Sequence, residues 1–134
     1  MKKLIIVLCL FLLVGCSFEK KEYPSIINVY RMFDSVRDEI TDDDIIENVV
    51  DILQDHVVVT EDEYQSHVDL INLNQRLDVI FTLYDITYLY SVDCNGYGMI
   101  SDNEEEPVGY GLRNYVKYDD GVYNYIKEVY ENKK

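Results

Sequence analysis

The chain has 134 residues, of which 12 are basic and 26 acidic, so its formal net charge at pH 7 is −14. This length suits one domain with a single modest hydrophobic core. Such an acidic excess makes nucleic acid and anionic lipid headgroups poor partners, and it favours a basic protein or cations instead.

The first segment is typical of an export signal. Lys2 and Lys3 precede an uninterrupted apolar run over residues 4–14. Spanning a hydrocarbon core about 30 Å thick takes roughly 20 apolar residues, so this run is too short to cross a membrane. A basic start, a short apolar run and a small-residue end predict a cleaved secretory signal peptide over residues 1–15.

The end of that signal is more specific. Leu13-Val14-Gly15-Cys16 resembles the lipobox of bacterial lipoproteins. The resemblance implies signal cleavage between Gly15 and Cys16, and a diacylglyceryl group on the Cys16 thiol. Two or more acyl chains anchor a protein stably. The implied location is therefore the cell membrane or outer membrane of a bacterium, with the domain outside the cytoplasm.

The segment after the signal predicts a short tether and one domain. Residues 16–23 contain the lipidated cysteine and a short charged spacer, and residues 24–134 form a single acidic globular domain. Loss of Lys2 and Lys3 with the signal leaves 26 acidic residues facing 10 basic ones. Cys94 is then the one remaining thiol, so stability has to come from packing and not from an intramolecular disulfide.

The first part of the domain predicts two helices. Apolar residues after Pro24 recur at helical spacing and predict a helix near 24–40. Thr41 followed by three aspartates has the composition of a helix start, because a threonine can cap and acidic side chains favour the positive end of the helix dipole. A second helix is therefore predicted near 42–55.

The middle of the domain predicts an extended link and two more helices. Three valines follow His56 and indicate a short extended piece or a simple apolar link. A capping-box pattern begins at Thr60 and predicts a third helix ending near residue 73. The fourth helix is predicted over residues 75–91 by an apolar stripe at helical spacing. The stripe consists of Leu77, Ile80, Phe81, Tyr84 and Tyr88.

The last third leaves two interpretations open. Four glycines and Pro107 predict a loop with little regular structure near 93–111. Residues 112–131 fit two short helices broken at Asp120-Gly121, but Asp-Gly between tyrosine- and valine-rich runs also indicates a hairpin near 113–126. The predicted fold class is mainly α, a compact domain of about five helices. The alternative is α+β with the C-terminal hairpin.

Residues 93–104, DCNGYGMISDNE, resemble part of an EF-hand calcium loop. Such a loop has oxygen ligands at positions 1, 3, 5, 7, 9 and 12, with glycine at position 6. Gly98 takes position 6, but Tyr97 stands at position 5, and Pro107 would cut the exiting helix short. The resemblance implies a weak Ca²⁺ site, and no other cofactor is expected. The implied ligands are Asp93, Asn95, the Met99 carbonyl, Ser101 through water, and Glu104.

A second resemblance covers residues 73–100, which look loosely similar to the small acidic helical domains typified by DNA-mimic proteins. Their amphipathic helix ends in valine before an Asn-Gly-Gly-aromatic turn. Here Tyr97 stands between the two glycines of Asn95-Gly96-Tyr97-Gly98. The resemblance implies a non-enzymatic domain that binds partners through its acidic surface, and an exported location favours an inhibitor or immunity role over DNA mimicry.

The sequence favours a binding function over catalysis. It contains no nucleophile elbow, phosphate loop, zinc-ligand spacing or Ser–His–Asp pattern. We therefore expect a membrane-anchored exported lipoprotein that is not an enzyme and that acts as an acidic protein-binding domain of the inhibitor or immunity type. Two alternatives stay open: a weak calcium-binding module through residues 93–104, and a structural lipoprotein of the cell envelope.

Overall fold

The computed structural model describes residues 20–31, 38–68, 75–103 and 114–132. These residues form seven β-strands and three α-helices. The strands are β1 (Ile27–Arg31), β2 (Asp38–Ile40), β3 (His56–Val58), β4 (Leu77–Leu83), β5 (Ile86–Val92), β6 (Tyr97–Asn103) and β7 (Asn114–Tyr118). The helices are α1 (Asp43–Gln54), α2 (Glu61–His67) and α3 (Val122–Asn132). The predicted signal peptide and Cys16 lie outside the described residues, as do Glu104 and Pro107.

All seven strands form one antiparallel sheet in the order β2-β1-β4-β5-β6-β7-β3. Strands β4 to β7 follow each other as a meander, β1 pairs with the outer side of β4, and β2 and β3 form the two edges. The prediction of a mainly α fold is therefore wrong, and most of the domain is organised by this sheet.

One face of the sheet carries the hydrophobic core and is covered by α1 and α3; we call it the helical face. Alternate residues of β4 point into it, and Leu77, Val79 and Phe81 are buried. The two helices contribute their apolar stripes to the same cluster. Those stripes consist of Ile46, Val49, Val50 and Leu53 in α1, and Val122, Tyr123, Ile126, Val129 and Tyr130 in α3. We call the opposite face the outer face; α2 packs there against β6 and β7.

The predicted helix near 42–55 is confirmed as α1, and the extended piece after it is confirmed as β3. Asp42, and not the predicted Thr41, caps α1: its side chain accepts a hydrogen bond from the Ile45 N–H at 3.1 Å. The Thr60 hydroxyl caps α2 in the same way through the Glu63 N–H at 3.2 Å. Helix α2 ends at His67, and residues 69–74 of the predicted third helix lie outside the described residues.

Two of the predicted helices are strands in the structure. The helix expected near 24–40 is replaced by β1 and β2, which pair with each other. The helix expected near 75–91 is replaced by the hairpin of β4 and β5, which turns at Tyr84 (φ 52°) and Asp85 (φ 63°). Positive φ at both central turn positions matches the right-handed twist of paired strands.

The last third also differs from expectation. The loop expected near 93–111 contains strand β6, and the residues around Asp120-Gly121 connect β7 to α3. The second of the two predicted short helices is confirmed as α3, whereas the first is replaced by β7. The hairpin near 113–126 is wrong, because one strand precedes this turn and one helix follows it. Among the described residues, no helix combines the length and the apolar character that crossing a membrane requires.

Candidate functional site

A cleft of about 480 Å³ opens between α1 and α3. Asn48 and Ile52 line it from the middle and the last turn of α1, and Asp55 from the residue that follows. Asp119, Asp120 and Gly121 contribute from the turn between β7 and α3, and Val122 and Tyr125 from the first turns of α3. We call this the acidic cleft.

The acidic cleft combines exposed charge with an apolar floor. The side chains of Asp55, Asp119 and Asp120 are exposed, whereas those of Ile52 and Tyr125 are half-buried. The described residues that line the cleft include no lysine, arginine or histidine. A cationic group can therefore approach three carboxylates without meeting a positive charge in the cleft wall.

The dipole of α1 adds to the negative charge at one wall of the acidic cleft. Helix α1 has acidic residues in its first turn and no basic residue in its last turn. The C-terminal end of a helix carries a partial negative charge, and Asp55 adds a full one there. The N-terminal end of α3 contributes a partial positive charge at the other wall, where Asp119 and Asp120 outweigh it.

The segment just before the sheet is fixed to the exposed side of α1. The Lys21 ammonium forms an ion pair with Asp51, and the Tyr23 hydroxyl donates to the same carboxylate at 3.0 Å. The hydrogen bond from Lys21 lowers the pKa of Asp51 below its usual range. These contacts determine where the chain leaves the domain toward its N-terminus.

The predicted calcium ligands are divided between a turn and a strand. Asp93 and Asn95 lie in the turn between β5 and β6, where Gly96 has a φ of 80°. Met99 and Ser101 lie within β6 itself, and Glu104 is outside the described residues. Strands β5 and β6 therefore stand where an EF-hand would have its two helices.

The turn residues are engaged by α2 on the outer face. Asp93 is only 5% exposed and accepts a hydrogen bond from the Tyr64 hydroxyl at 3.3 Å. Asn95 donates from Nδ2 to the His67 carbonyl at 2.6 Å. Among the described residues, no group of three or more His, Cys, Asp and Glu side chains is arranged to hold a metal ion. Calcium binding by residues 93–104 stays a prediction.

Aromatic contacts complete the attachment of α2 to the sheet. The rings of His67 and Tyr97 stack with centroids 4.5 Å apart, and the rings of Tyr64 and Tyr115 are 4.7 Å apart. The Tyr97 hydroxyl donates to Glu63 at 3.3 Å. Burial raises the pKa of Tyr64 to about 12 and also raises the pKa of Asp93. These polar groups satisfy each other, so we assign them to the architecture of the domain.

Sequence reasoning missed the acidic cleft, because its residues come from two places far apart in the chain. Asp119-Asp120 is visible as one of several acidic clusters, but nothing in its sequence context places it beside Asp55. The Asp-Gly turn before an apolar run was the one local signal, since a turn there brings acidic side chains to the start of α3.

Comparison with protein-family models, with curated proteins and with solved structures finds no match for this chain.

Proposed function

We propose that this chain is an exported, lipid-anchored, non-enzymatic protein that binds a basic protein partner through the acidic cleft. The observation that carries the proposal is the composition of the cleft: three exposed carboxylates around an apolar and aromatic floor, with no basic residue in its described lining. Binding of this kind masks or docks the partner, as an inhibitor or immunity protein does.

The cleft suits a lysine or arginine side chain of the partner. The apolar stem of such a side chain can pack on Ile52 and Val122, while its charged head stays near the carboxylates. The ring of Tyr125 offers an additional cation–π contact. Arginine suits the cleft better than lysine does, since its planar guanidinium forms bidentate hydrogen bonds with carboxylates and stacks on aromatic rings.

The surface beside the cleft extends the same charge. Asp43, Asp44 and Glu47 are exposed on α1, and all of them face away from the core. Lys20 and Lys21 lie beside Asp43 and Glu47, but acidic residues are in large excess over the whole chain. Such an excess steers an oppositely charged protein toward its site and raises the association rate. The net charge of −14 therefore supports the proposal beyond the cleft itself.

The predicted lipid on Cys16 would hold this surface near the membrane. Five residues separate Cys16 from Lys21, which is fixed to Asp51 of α1. Fully extended chain covers at most about 3.6 Å per residue, so the Lys21 backbone can be at most about 18 Å from the lipidated residue. We infer that the protein meets its partner close to the membrane surface.

The proposal is tested with the full-length chain in detergent and an acetylated, amidated hexa-arginine peptide, followed by titration calorimetry. The cleft variant carries Asp55→Asn, Asp119→Asn and Asp120→Asn. The matched control removes the same charge from exposed acids elsewhere, through Glu39→Gln, Asp85→Asn and Asp102→Asn. We expect the cleft variant to weaken binding at least about tenfold and the control by less than about threefold.

Salt provides a second measurement. Raising the ionic strength from about 0.05 M to about 0.5 M should weaken peptide binding to the parent chain steeply, because exposed charges are screened. Equal losses in the cleft variant and its control would show that binding follows net charge alone, and that outcome contradicts the cleft as the site.

A further inference from the structure

Strand β3 forms one edge of the sheet and carries exposed apolar side chains. It pairs with β7 on its inner side, and the described residues place no strand on its outer side. Val57 and Val58 are 67% and 63% exposed. An exposed apolar edge strand is a template for pairing with another chain, so natural proteins guard such edges unless they use them.

The register with β7 shows which backbone groups of β3 point outward. The Val59 N–H donates to the Tyr115 carbonyl at 2.9 Å, and Val57 lies opposite Lys117. Backbone groups along a strand alternate between its two sides, so Val57 and Val59 form the bonds to β7. The N–H and C=O groups of His56 and Val58 therefore point away from the sheet.

The opposite edge of the sheet is guarded by charge. Strand β2 presents Asp38 and Glu39, whose carboxylates oppose pairing with another strand. Strand β3 has the same length but contains no acidic or lysine residue, and two of its residues are β-branched. This difference indicates that the β3 edge is used.

We propose that β3 is the docking edge for an extended segment of the basic partner, which adds a further strand through the outward backbone groups of His56 and Val58. This inference rests on the proposed function and deepens it by stating how the partner is held. Strand addition of this kind obtains affinity from main-chain hydrogen bonds and specificity from the side chains on either side.

Charge around β3 identifies the chemistry of the segment. Asp55 precedes the strand, and Glu61 and Asp62 follow it, and all three side chains are exposed. A segment with apolar or β-branched residues at its centre and lysine or arginine at its ends complements this pattern. Asp55 also lines the acidic cleft, so one basic segment can contact both the edge and the cleft.

A second copy of this chain is a poor occupant of the same edge. Antiparallel pairing of two β3 strands about Val57 would bring Asp55 of each copy beside residues 59 and 60 of the other, next to Glu61. Each copy also carries a net charge of −14. Two copies of this charge repel each other, so the charge pattern selects a basic partner over self-pairing.

The probe for this edge is the acetylated, amidated peptide Lys-Arg-Thr-Val-Thr-Val-Lys-Arg, titrated into the full-length chain. Two derivatives carry backbone N-methyl groups on alternate central residues, one on both threonines and the other on both valines. Only one side of an added strand faces β3. We therefore expect one derivative to bind like the parent peptide and the other to lose at least about tenfold in affinity.

Variants at Val58 test the protein side of the contact. Val58→Pro removes an outward N–H while leaving the bonds of Val57 and Val59 to β7, and Val58→Lys adds a repelling charge. Both should weaken the strand peptide at least about tenfold, and the control Val58→Thr should leave its affinity within about threefold. Circular dichroism reports whether each variant folds. If Val58→Pro does not fold, the two methylated peptides, titrated into the parent chain, test whether the peptide pairs with β3.

The outcomes separate this inference from the proposed function. Equal binding of all three peptides, with no effect of Val58→Lys, would overturn the proposal that β3 is the docking edge. Hexa-arginine binding would still test the acidic cleft independently. A concentration-dependent dimer that Val58→Lys abolishes in sedimentation would assign the edge to a second copy and would also overturn it. In the cleft variant, hexa-arginine binding should be lost, whereas the strand peptide should bind more weakly, since Asp55 contributes to both sites. A strand peptide that still distinguishes the two methylated derivatives in this variant would support both sites.

Discussion

The hydroxyl of Tyr64 donates a hydrogen bond to Oδ2 of Asp93 over 3.3 Å, which connects α2 to the turn between β5 and β6. The two residues are 29 positions apart in sequence, and both are buried. A buried carboxylate is costly unless hydrogen bonds satisfy it. The Tyr64 hydroxyl thus stabilises the Asp93 carboxylate, which is buried under α2.

Asp93→Asn should make the domain more stable at neutral pH. Burial raises the pKa of Asp93, so the folded state favours the protonated form more than the unfolded state does. The parent therefore loses stability as pH rises from the ordinary aspartate pKa of 3.8 through the raised folded value. Asparagine does not ionise, so the variant does not lose stability in this way as pH rises. Urea unfolding of both proteins should show a difference at pH 7 that disappears near pH 3.

Tyr64→Phe is the matched control for that prediction. It removes the donor to a buried carboxylate, and a lost bond to a charged group costs about 1.5–3 kcal/mol of unfolding free energy. This variant should be less stable than the parent at pH 7. Equal stability of Asp93→Asn and the parent across the whole pH range would contradict the assignment of a costly buried charge.

Buried tyrosines should make the fold sensitive to alkali. Burial raises the pKa of Tyr64 and of Tyr90 to about 12, and raises the pKa of Tyr118 well above its usual range. The unfolded state releases these protons near the ordinary tyrosine pKa of 10.0, so stability should fall as pH rises from that value toward the raised pKa values of the folded state. Absorbance at 295 nm should show tyrosinate from the exposed tyrosines first. Complete ionisation before the circular dichroism signal changes would contradict this expectation.

The β4–β5 hairpin shows how far sequence patterns predicted the fold. Residues 77–83 read Leu-Asp-Val-Ile-Phe-Thr-Leu. Ile80 interrupts the alternation of apolar and polar residues, so this segment is compatible both with a helical stripe and with a strand. The structure follows the alternation, with Leu77, Val79 and Phe81 buried together. The turn at Tyr84-Asp85 lacks the usual Asn-Gly or Asp-Gly pair, so no local signal divided the segment into two strands.

Helices α1 and α2 were predicted from the sequence, because capping residues mark their N-termini. Asp42 and Thr60 hold the N-termini of α1 and α2 as such residues typically do, and these local contacts need no tertiary structure. The acidic cleft could not be predicted in the same way. It depends on α1 packing beside α3, and this packing follows from the sheet that the sequence patterns did not reveal.

Gly98→Ala should be strongly destabilising, because the added Cβ would clash with neighbouring atoms. A Cβ at this position would lie 1.8 Å from the Ser91 carbonyl oxygen and 2.9 Å from the Tyr118 ring. The first neighbour is backbone within the sheet, so the strands would have to separate. We expect a loss of at least about 3 kcal/mol in the free energy of unfolding, measured by urea denaturation.

Gly121→Ala provides the comparison. A Cβ there meets nothing within 4 Å, but the φ of 90° is unfavourable for alanine. Its expected loss is only about 1–2 kcal/mol. Similar losses in the two variants would show that the close approach of β5 and β6 at Gly98 is not needed for stability.

Cys16→Ala should release the protein from membranes. The predicted lipid is attached to this thiol, and removing it leaves no acyl chain to hold an acidic domain at an anionic surface. In a bacterial host, the parent chain should sediment with membranes and incorporate labelled palmitate. The variant should do neither. Cys94→Ala is the control for a general effect of removing a thiol, and equal membrane association of all three proteins would contradict lipidation at Cys16.

Calcium should leave the stability of the domain unchanged up to about 10 mM, a concentration that would fill even weak extracellular calcium sites. The physical reason is the division of the predicted ligands. Asp93 is buried and accepts from Tyr64, whereas Met99 and Ser101 are held in β6. Closing a loop around an ion would require breaking the pairing of β6 with β5 and β7. Melting temperature with and without calcium is the measurement, with Glu104→Gln as the control. A saturable rise that this variant abolishes would show that the loop rearranges to bind the ion.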